Sequence, residues 1–201
     1  MENELKKIIL KVRELFKKYG IKSMTMDDIA HELRISKKTL YKYVQNKEEL
    51  VDKVVEHAQN EKGKYFMELS ESGLNAIQIL IKVNKIAQKM LEEYNSSLEY
   101  DLNKYHPEIY KKAKKRTHEN MFNSVLANLK QGQNENLYRK EVNAELISKL
   151  YVLRIDSLMD NMIITREQLH NADTINQLLE YHIRGIANEK GIAEYEKYKD
   201  N

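Results

Sequence analysis

Apolar residues recur at helical spacing along almost the whole chain. Leu5, Ile8, Ile9, Val12 and Phe16 make an i, i+3, i+4, i+7, i+11 stripe. They predict an amphipathic helix over about 4–19, with lysines on its outer side. Gly20 then ends it, in the left-handed conformation a C-cap glycine adopts. In IKSMTMDDIAHEL, Thr25 is placed as an N-cap and Asp28 can close a capping box. A short helix over about 26–33 comes next, with Ile29, Ala30 and Leu33 facing inward. Arg34–Ile35 reads as a tight turn, and Ser36 as the N-cap of a third helix running to about Val44. Asn46, with Glu49 three residues on, opens a fourth that carries Leu50, Val51, Val54 and Val55. Short capped helices joined by a turn of about three or four residues form a helix-turn-helix pattern.

Beyond Gly73 the predicted helices lengthen. One covers about 74–95, with Ile77, Leu80, Ile81, Val83, Ile86, Ala87, Met90 and Leu91 on its apolar side. His106-Pro107 marks a break, because proline disfavours helix at the residue before it. A further helix covers about 108–131 and ends at Gly132. QGQNENLYRKEVN reads as a polar connection. Two last helices cover about 143–166 and 173–190, the second ended by Gly191. Both carry more apolar positions than one buried stripe needs. In the first, Leu146, Leu150, Leu153, Leu158 and Met162 widen the face; in the second, Ile175, Leu179, Ile183 and Ile186 do. A helix apolar on two sides can bury one against its own domain and the other against a partner.

Composition narrows this to an all-α chain. Its 201 residues hold one proline, six glycines and no alternating apolar–polar run bounded by turn residues. There is no cysteine, so disulfides and thiolate metal sites are out. The N-terminal MENELKKIILKVREL carries charges within its apolar pattern, unlike a signal peptide or membrane span, so a cytoplasmic protein with no membrane association is expected. Net charge is +3. Residues 1–50 hold 12 Lys+Arg against 8 Asp+Glu, or +4; the other 151 hold 22 against 23. The positive excess in the first quarter points to a polyanionic partner there.

The third helix concentrates that charge. Lys37, Lys38, Tyr41 and Lys42 fall at i, i+1, i+4 and i+5, opposite Leu40 and Val44, with Thr39 and Tyr43 flanking. Lysines neutralise phosphates or reach guanine O6 and N7, and hydroxyls donate to phosphate, so this face suits a DNA major groove. Lys47 stands at the start of the next helix, whose free N–H groups also suit a phosphate. A solvated lysine face is the plain alternative, and the capped helices on both sides argue against it. The six histidines show no His-x-x-x-His or His-x-x-Glu-His spacing, so neither a metal nor another cofactor is expected. No phosphate loop, nucleophile elbow or Cys/His pair suggests an enzyme.

TMDDIAHELRISKKTLYKYVQNKEELV resembles the helix-turn-helix of the TetR family of bacterial transcriptional regulators, and the resemblance covers roughly residues 5–55. It implies an N-terminal DNA-binding domain of three helices over 1–60 and a larger helical effector-binding and dimerisation domain over 61–201. It implies that Thr25 caps the motif near a phosphate, that Lys37, Lys38 and Tyr41 reach base edges, and that Thr39, Tyr43 and Lys47 hold phosphates. Ser36 and Lys42 complete the DNA-facing set. Arg34 departs from the family, which usually has glycine there; a left-handed arginine costs about 1 kcal/mol relative to glycine. Val44 stands where phenylalanine is common.

The resemblance further implies a homodimer whose last two helices from each copy form a four-helix bundle. Leu150, Leu158, Met162, Ile175, Leu179, Ile183 and Ile186 are the candidate interface residues. Effectors of such proteins bind among the central helices, which makes Met90, Tyr94, Tyr105, Met121, Phe122 and Tyr151 pocket candidates. The implied function is a sequence-specific regulator of double-stranded DNA at an inverted-repeat operator, a repressor released by a small-molecule effector. An alternative keeps the DNA-binding head and gives the C-terminal domain a protein partner instead.

Overall fold

In the computed structural model, which describes residues 2–92, 94–159 and 163–199, the helical periodicity is realised throughout. Among the described residues there are eleven helices and no strand. They are α1 (Glu2–Tyr19), α2 (Met26–Glu32), α3 (Lys37–Leu40), α4 (Lys47–Ser70), α5 (Ala76–Glu92), α6 (Ser96–Tyr105), α7 (Pro107–Asn134), α8 (Ala144–Met159), α9 (Arg166–His170), α10 (Ala172–Ile186) and α11 (Glu189–Tyr198). None is long and apolar enough to cross a membrane. The chain forms two compact units, one of Met1–Lys64 and Asn95–Thr117, the other of Tyr65–Tyr94 and His118–Asn201.

In the first unit the α1 stripe meets the helix-turn-helix. Val12, Ile29, Leu40, Leu50 and Val51 are fully or almost fully buried, each worth roughly 1.5–3 kcal/mol of transfer free energy. Val44 joins them, so the smaller side chain still closes the core. Ile109, Leu98 and Leu102 pack on the same cluster. Asn95 caps α6 by accepting from the Ser97 and Leu98 amides. Pro107 sits at the first position of α7, where its missing N–H costs nothing.

The second unit has its own core of Ala76, Ile77, Leu80, Leu129, Tyr138, Ile183, Ile186 and Tyr195. Several helix ends here differ from those the sequence pattern predicts. Gly132 does not end α7, which continues to Asn134. Asn136 turns the chain instead, at φ 55, with the Leu137 amide bonded to the Gly132 carbonyl at 2.8 Å. Gly132 is needed for room: a Cβ there would run into the Tyr138 ring. Nor does Gly191 end the last helix. α10 stops at Ile186, and Asn188 caps α11 by accepting from the Gly191 amide at 3.0 Å. Gly191 lies against the Leu137 carbonyl, where a Cβ would not fit. The expected helix over 143–166 also ends sooner, at Met159 among the described residues. Thr165 and Gln168 form a capping box that starts α9.

The polar connection 131–143 is therefore a core element in part. Leu137 and Tyr138 are buried, and Tyr138 forms an isolated antiparallel bridge with Ala187. The Tyr138 hydroxyl donates to Asn128 at 3.1 Å, and the Asn128 amide donates to the Ala76 carbonyl at 2.9 Å. Burial pushes the Tyr138 phenol upward, so it remains a neutral donor.

Candidate nucleic-acid interface

The helix-turn-helix is organised by local hydrogen bonds. Thr25 accepts from the Asp28 amide at 3.2 Å, and the Asp28 carboxylate accepts from the Thr25 amide at 2.9 Å and its hydroxyl at 2.6 Å. That is a closed capping box, and the bonds from Thr25 hold the Asp28 carboxyl below its usual range. α2 ends in a Schellman motif. The Arg34 amide bonds the His31 carbonyl at 2.9 Å, and the Ile35 amide bonds that of Ala30 at 3.0 Å. Arg34 is left-handed, with φ 56. Ser36 caps α3 by accepting from the Thr39 amide at 3.0 Å, and the two hydroxyls lie 2.8 Å apart.

α3 is shorter than its predicted span. Its regular part ends at Leu40, and residues 41–43 continue as tighter turns, with the Lys42 amide on the Thr39 carbonyl and the Tyr43 amide on Leu40. Asn46 then accepts from the Glu49 amide at 2.8 Å, and the Glu49 carboxylate reaches back to the Gln45 amide at 2.6 Å. α4 begins there.

This backbone buries Leu40 and leaves Ser36, Lys37, Lys38, Tyr41 and Lys42 exposed. Lys37 is paired with Asp27, Nζ to Oδ1 at 2.8 Å, and that contact raises its amine. No partner holds Lys38 or Lys42 among the described residues. Thr39 is half-buried. Tyr43 is also half-buried and packs on the core of the unit, so its ring is shared between packing and surface. Lys47 is half-buried as well. Its ammonium donates to the Lys22 carbonyl at 3.4 Å, and burial pushes its amine down.

The other candidates are more scattered. Tyr105 lies in the first unit, exposed, with the Lys22 and Lys104 ammoniums over its ring. Met90, Tyr94, Met121, Phe122 and Tyr151 lie in the second unit, all half-buried. The Arg166 guanidinium stands 5.1 Å from the Tyr94 ring centroid. Arg154 stands 4.7 Å from that of Tyr151, whose edge meets His182 at 5.1 Å. Burial pushes His182 down to about 4.

Of the interface candidates, Ile175, Ile183 and Ile186 are buried within the second unit. Their side chains fill its core, leaving none of the three open to a partner. Leu158 and Leu179 are half-buried, and Met162 lies outside the described residues. The exposed apolar groups on these helices are Leu146 (52%), Leu150 (51%) and Leu153 (63%) on α8 and Tyr181 (79%) on α10. Leu146 and Leu153 belong to the wide apolar face of α8 without being among the candidates, and Tyr181 lies outside that pattern.

Comparison with known proteins agrees with this geometry. Residues 8–54 match the family model "Bacterial regulatory proteins, tetR family". The uncharacterized HTH-type transcriptional regulator YvaF of Bacillus subtilis (strain 168) is 27% identical over 184 residues, covering 90% of this chain and 94% of the relative. A transcriptional regulator from Cytophaga hutchinsonii ATCC 33406 shares the fold with a TM-score of 0.77 at 20% identity, over 92% of this chain and 99% of its own. A TetR-family transcriptional regulator from Agrobacterium tumefaciens has a TM-score of 0.67 at 14% identity, over 93% and 99%.

Proposed function

We propose, for a chain that belongs to the TetR family of bacterial transcriptional regulators, that it works as a homodimeric repressor released by a small-molecule effector. The observation that carries this reading is the exposed face of α3, set between two capped helices and rich in lysine and hydroxyl groups. Lys38 and Tyr41 read base edges, and Lys37 joins them once it leaves Asp27. Ser36, Thr39, Lys42 and Tyr43 hold phosphates, with Thr25 at the amino end of α2. Lys47 fixes the turn at Lys22 and contributes positive field to the phosphate beside it.

The exposed leucines of α8, spaced one turn apart, and exposed Tyr181 of α10 support a dimer, since large apolar side chains left open to water favour a second copy. Two recognition helices must then sit about 34–36 Å apart to enter successive major grooves. An effector that favours a wider spacing releases the DNA. Arg154, whose buried Nε lacks a hydrogen-bond partner among the described residues, is the group we assign to the effector, together with the Tyr151 ring. That assignment calls for an anionic or strongly accepting ligand.

The test is selection of random DNA by the purified protein, with light scattering on the free protein. An inverted repeat and a dimer mass are expected. A monomer that enriches no site, even at low salt, overturns the reading.

A further inference from the structure

The first unit carries a second cluster of cations and hydroxyls outside the helix-turn-helix. Lys22, in the turn after α1, and Lys104, near the end of α6, bring their ammoniums to within 5.0 and 5.5 Å of the centroid of one ring, Tyr105. Lys104 also donates to the Tyr100 hydroxyl at 2.7 Å. All four side chains are exposed. The turn is fixed by its backbone. The Lys22 amide donates to Asp101 of α6 at 2.9 Å, and its carbonyl accepts from Lys47 at 3.4 Å.

Two features make this more than a solvated surface. First, like charges converge on one ring, and Lys104 opposes the protonation of Lys22. The bonds to Tyr105 and Tyr100 nevertheless hold both amines charged. Asp101 is half-buried, accepts from the Lys22 amide and offsets part of the charge on Lys22, and two ammoniums against one carboxylate leave the cluster net positive. An external anion relieves such an arrangement. Second, the cluster adjoins the motif. Lys22 lies three residues before the Thr25 cap and touches Lys47 at the start of α4.

We infer that Lys22 and Lys104, with the Tyr100 and Tyr105 hydroxyls, form an additional grip on the DNA phosphate backbone beside the recognition helix. This inference rests on the DNA-binding reading and, through Tyr100, Lys104 and Tyr105, extends the footprint beyond residues 8–54 that the family model matches. Contacts of this kind set affinity and its salt dependence and carry no sequence preference.

The experiment measures binding of a fluorescent random-sequence duplex of about 40 base pairs across a range of salt concentrations. It compares the wild type, the double variant Lys22→Ala with Lys104→Ala, its Lys→Arg counterpart, and a charge control, Lys140→Ala with Lys149→Ala, in the second unit. Side-chain removal at Lys22 leaves both of its backbone hydrogen bonds in place, and equal melting temperatures check the fold. In the double alanine variant the slope of log affinity against log salt should fall by about 2 per protomer. The arginine variant and the charge control should keep the wild-type slope. A double alanine variant with an unchanged slope overturns this surface alone, and so does a control that loses as much. A wild type with no salt-dependent affinity for DNA sinks the DNA-binding reading and this surface with it.

Discussion

At Arg34 and at Asn136 the chain leaves a helix by the same route. The two residues are left-handed at φ 56 and 55, and each is succeeded by a residue whose amide bonds back into the last turn, Ile35 to Ala30 and Leu137 to Gly132. Beyond the turn the two paths diverge. After Arg34 the chain enters α3 at once and turns Lys37, Lys38, Tyr41 and Lys42 to solvent. After Asn136 it sends Leu137 and Tyr138 into the core of the second unit and pairs with Ala187. One turn spaces two helices for a surface; the other holds a core together. The difference shows that backbone geometry alone does not say whether a turn is there for packing or for presentation. The burial of the two residues after it does.

That contrast should first appear in stability. Tyr138→Ala removes a fully buried ring and its bond to Asn128, and should destabilise the protein by about 4 kcal/mol in denaturant titration. Gly132→Ala alone should be costly, because the new Cβ meets that ring. In the Tyr138→Ala background it should cost far less. Additive effects would mean that Gly132 and Tyr138 are not coupled.

The units should also part company in acid. His182 is buried beside Tyr151 and Arg154, with its pKa moved from 6.5 down to about 4, chiefly by burial and secondarily by Arg154. The folded state thus binds its proton less readily than the unfolded chain. Its contribution is complete above pH 6.5 and is lost as pH falls towards about 4, for a total of about 3 kcal/mol. In the first unit the depressed groups that titrate in acid are carboxylates, among them Asp28 through its bonds from Thr25 and Glu49 through the Gln45 amide. Their contribution holds above their ordinary values of 3.8 and 4.5 and fades only below them. Amide exchange at about pH 7 and about pH 5 should show the second unit loosening first, and His182→Phe should remove the difference.

The smallest effect belongs to the two turns themselves. Arg34→Gly relieves a left-handed arginine and should stabilise by about 1 kcal/mol, read as a raised melting temperature. Asn136→Gly should give less, since asparagine tolerates that conformation better than arginine. Equal gains would show that side-chain identity is not what distinguishes them.

These two regions also mark how far the sequence could be read. Between Gly20 and Leu50 each helix start is set by a side chain within four residues of the backbone it caps, as with Thr25, Ser36 and Asn46. Such signals are visible in one dimension, and the exposed face of α3 derives from them. Between 131 and 191 the boundaries depend on partners far along the chain. Gly132 and Gly191 look like helix terminators, yet each lies inside a helix, and glycine stands there because a ring or a carbonyl from residues 137–138 occupies the space a Cβ would take. Tyr138, in a polar stretch, carries no periodic signal. Ile183 and Ile186 have the same apolar character as the exposed α8 leucines, and only the packed structure separates core from surface. Lys22 and Lys104 give no signal of their own either, being 82 residues apart in the chain. Asn95 is a legible cap, and it alone hints at α6.

The pair between Lys37 and Asp27 has a bearing on how quickly a site could be found. Both side chains are more than half exposed, at 52% and 68%, so solvent screens the pair and it adds little to stability. Asp27 offers the lysine a carboxylate where DNA would offer a phosphate or a guanine. In the proposed DNA complex, Lys37 gives up the Asp27 oxygen for one on the duplex, so its net gain is smaller than that of an unpaired lysine. The proposed reading then predicts a short residence on wrong sequences, because one of its lysines already has a partner when the protein is free.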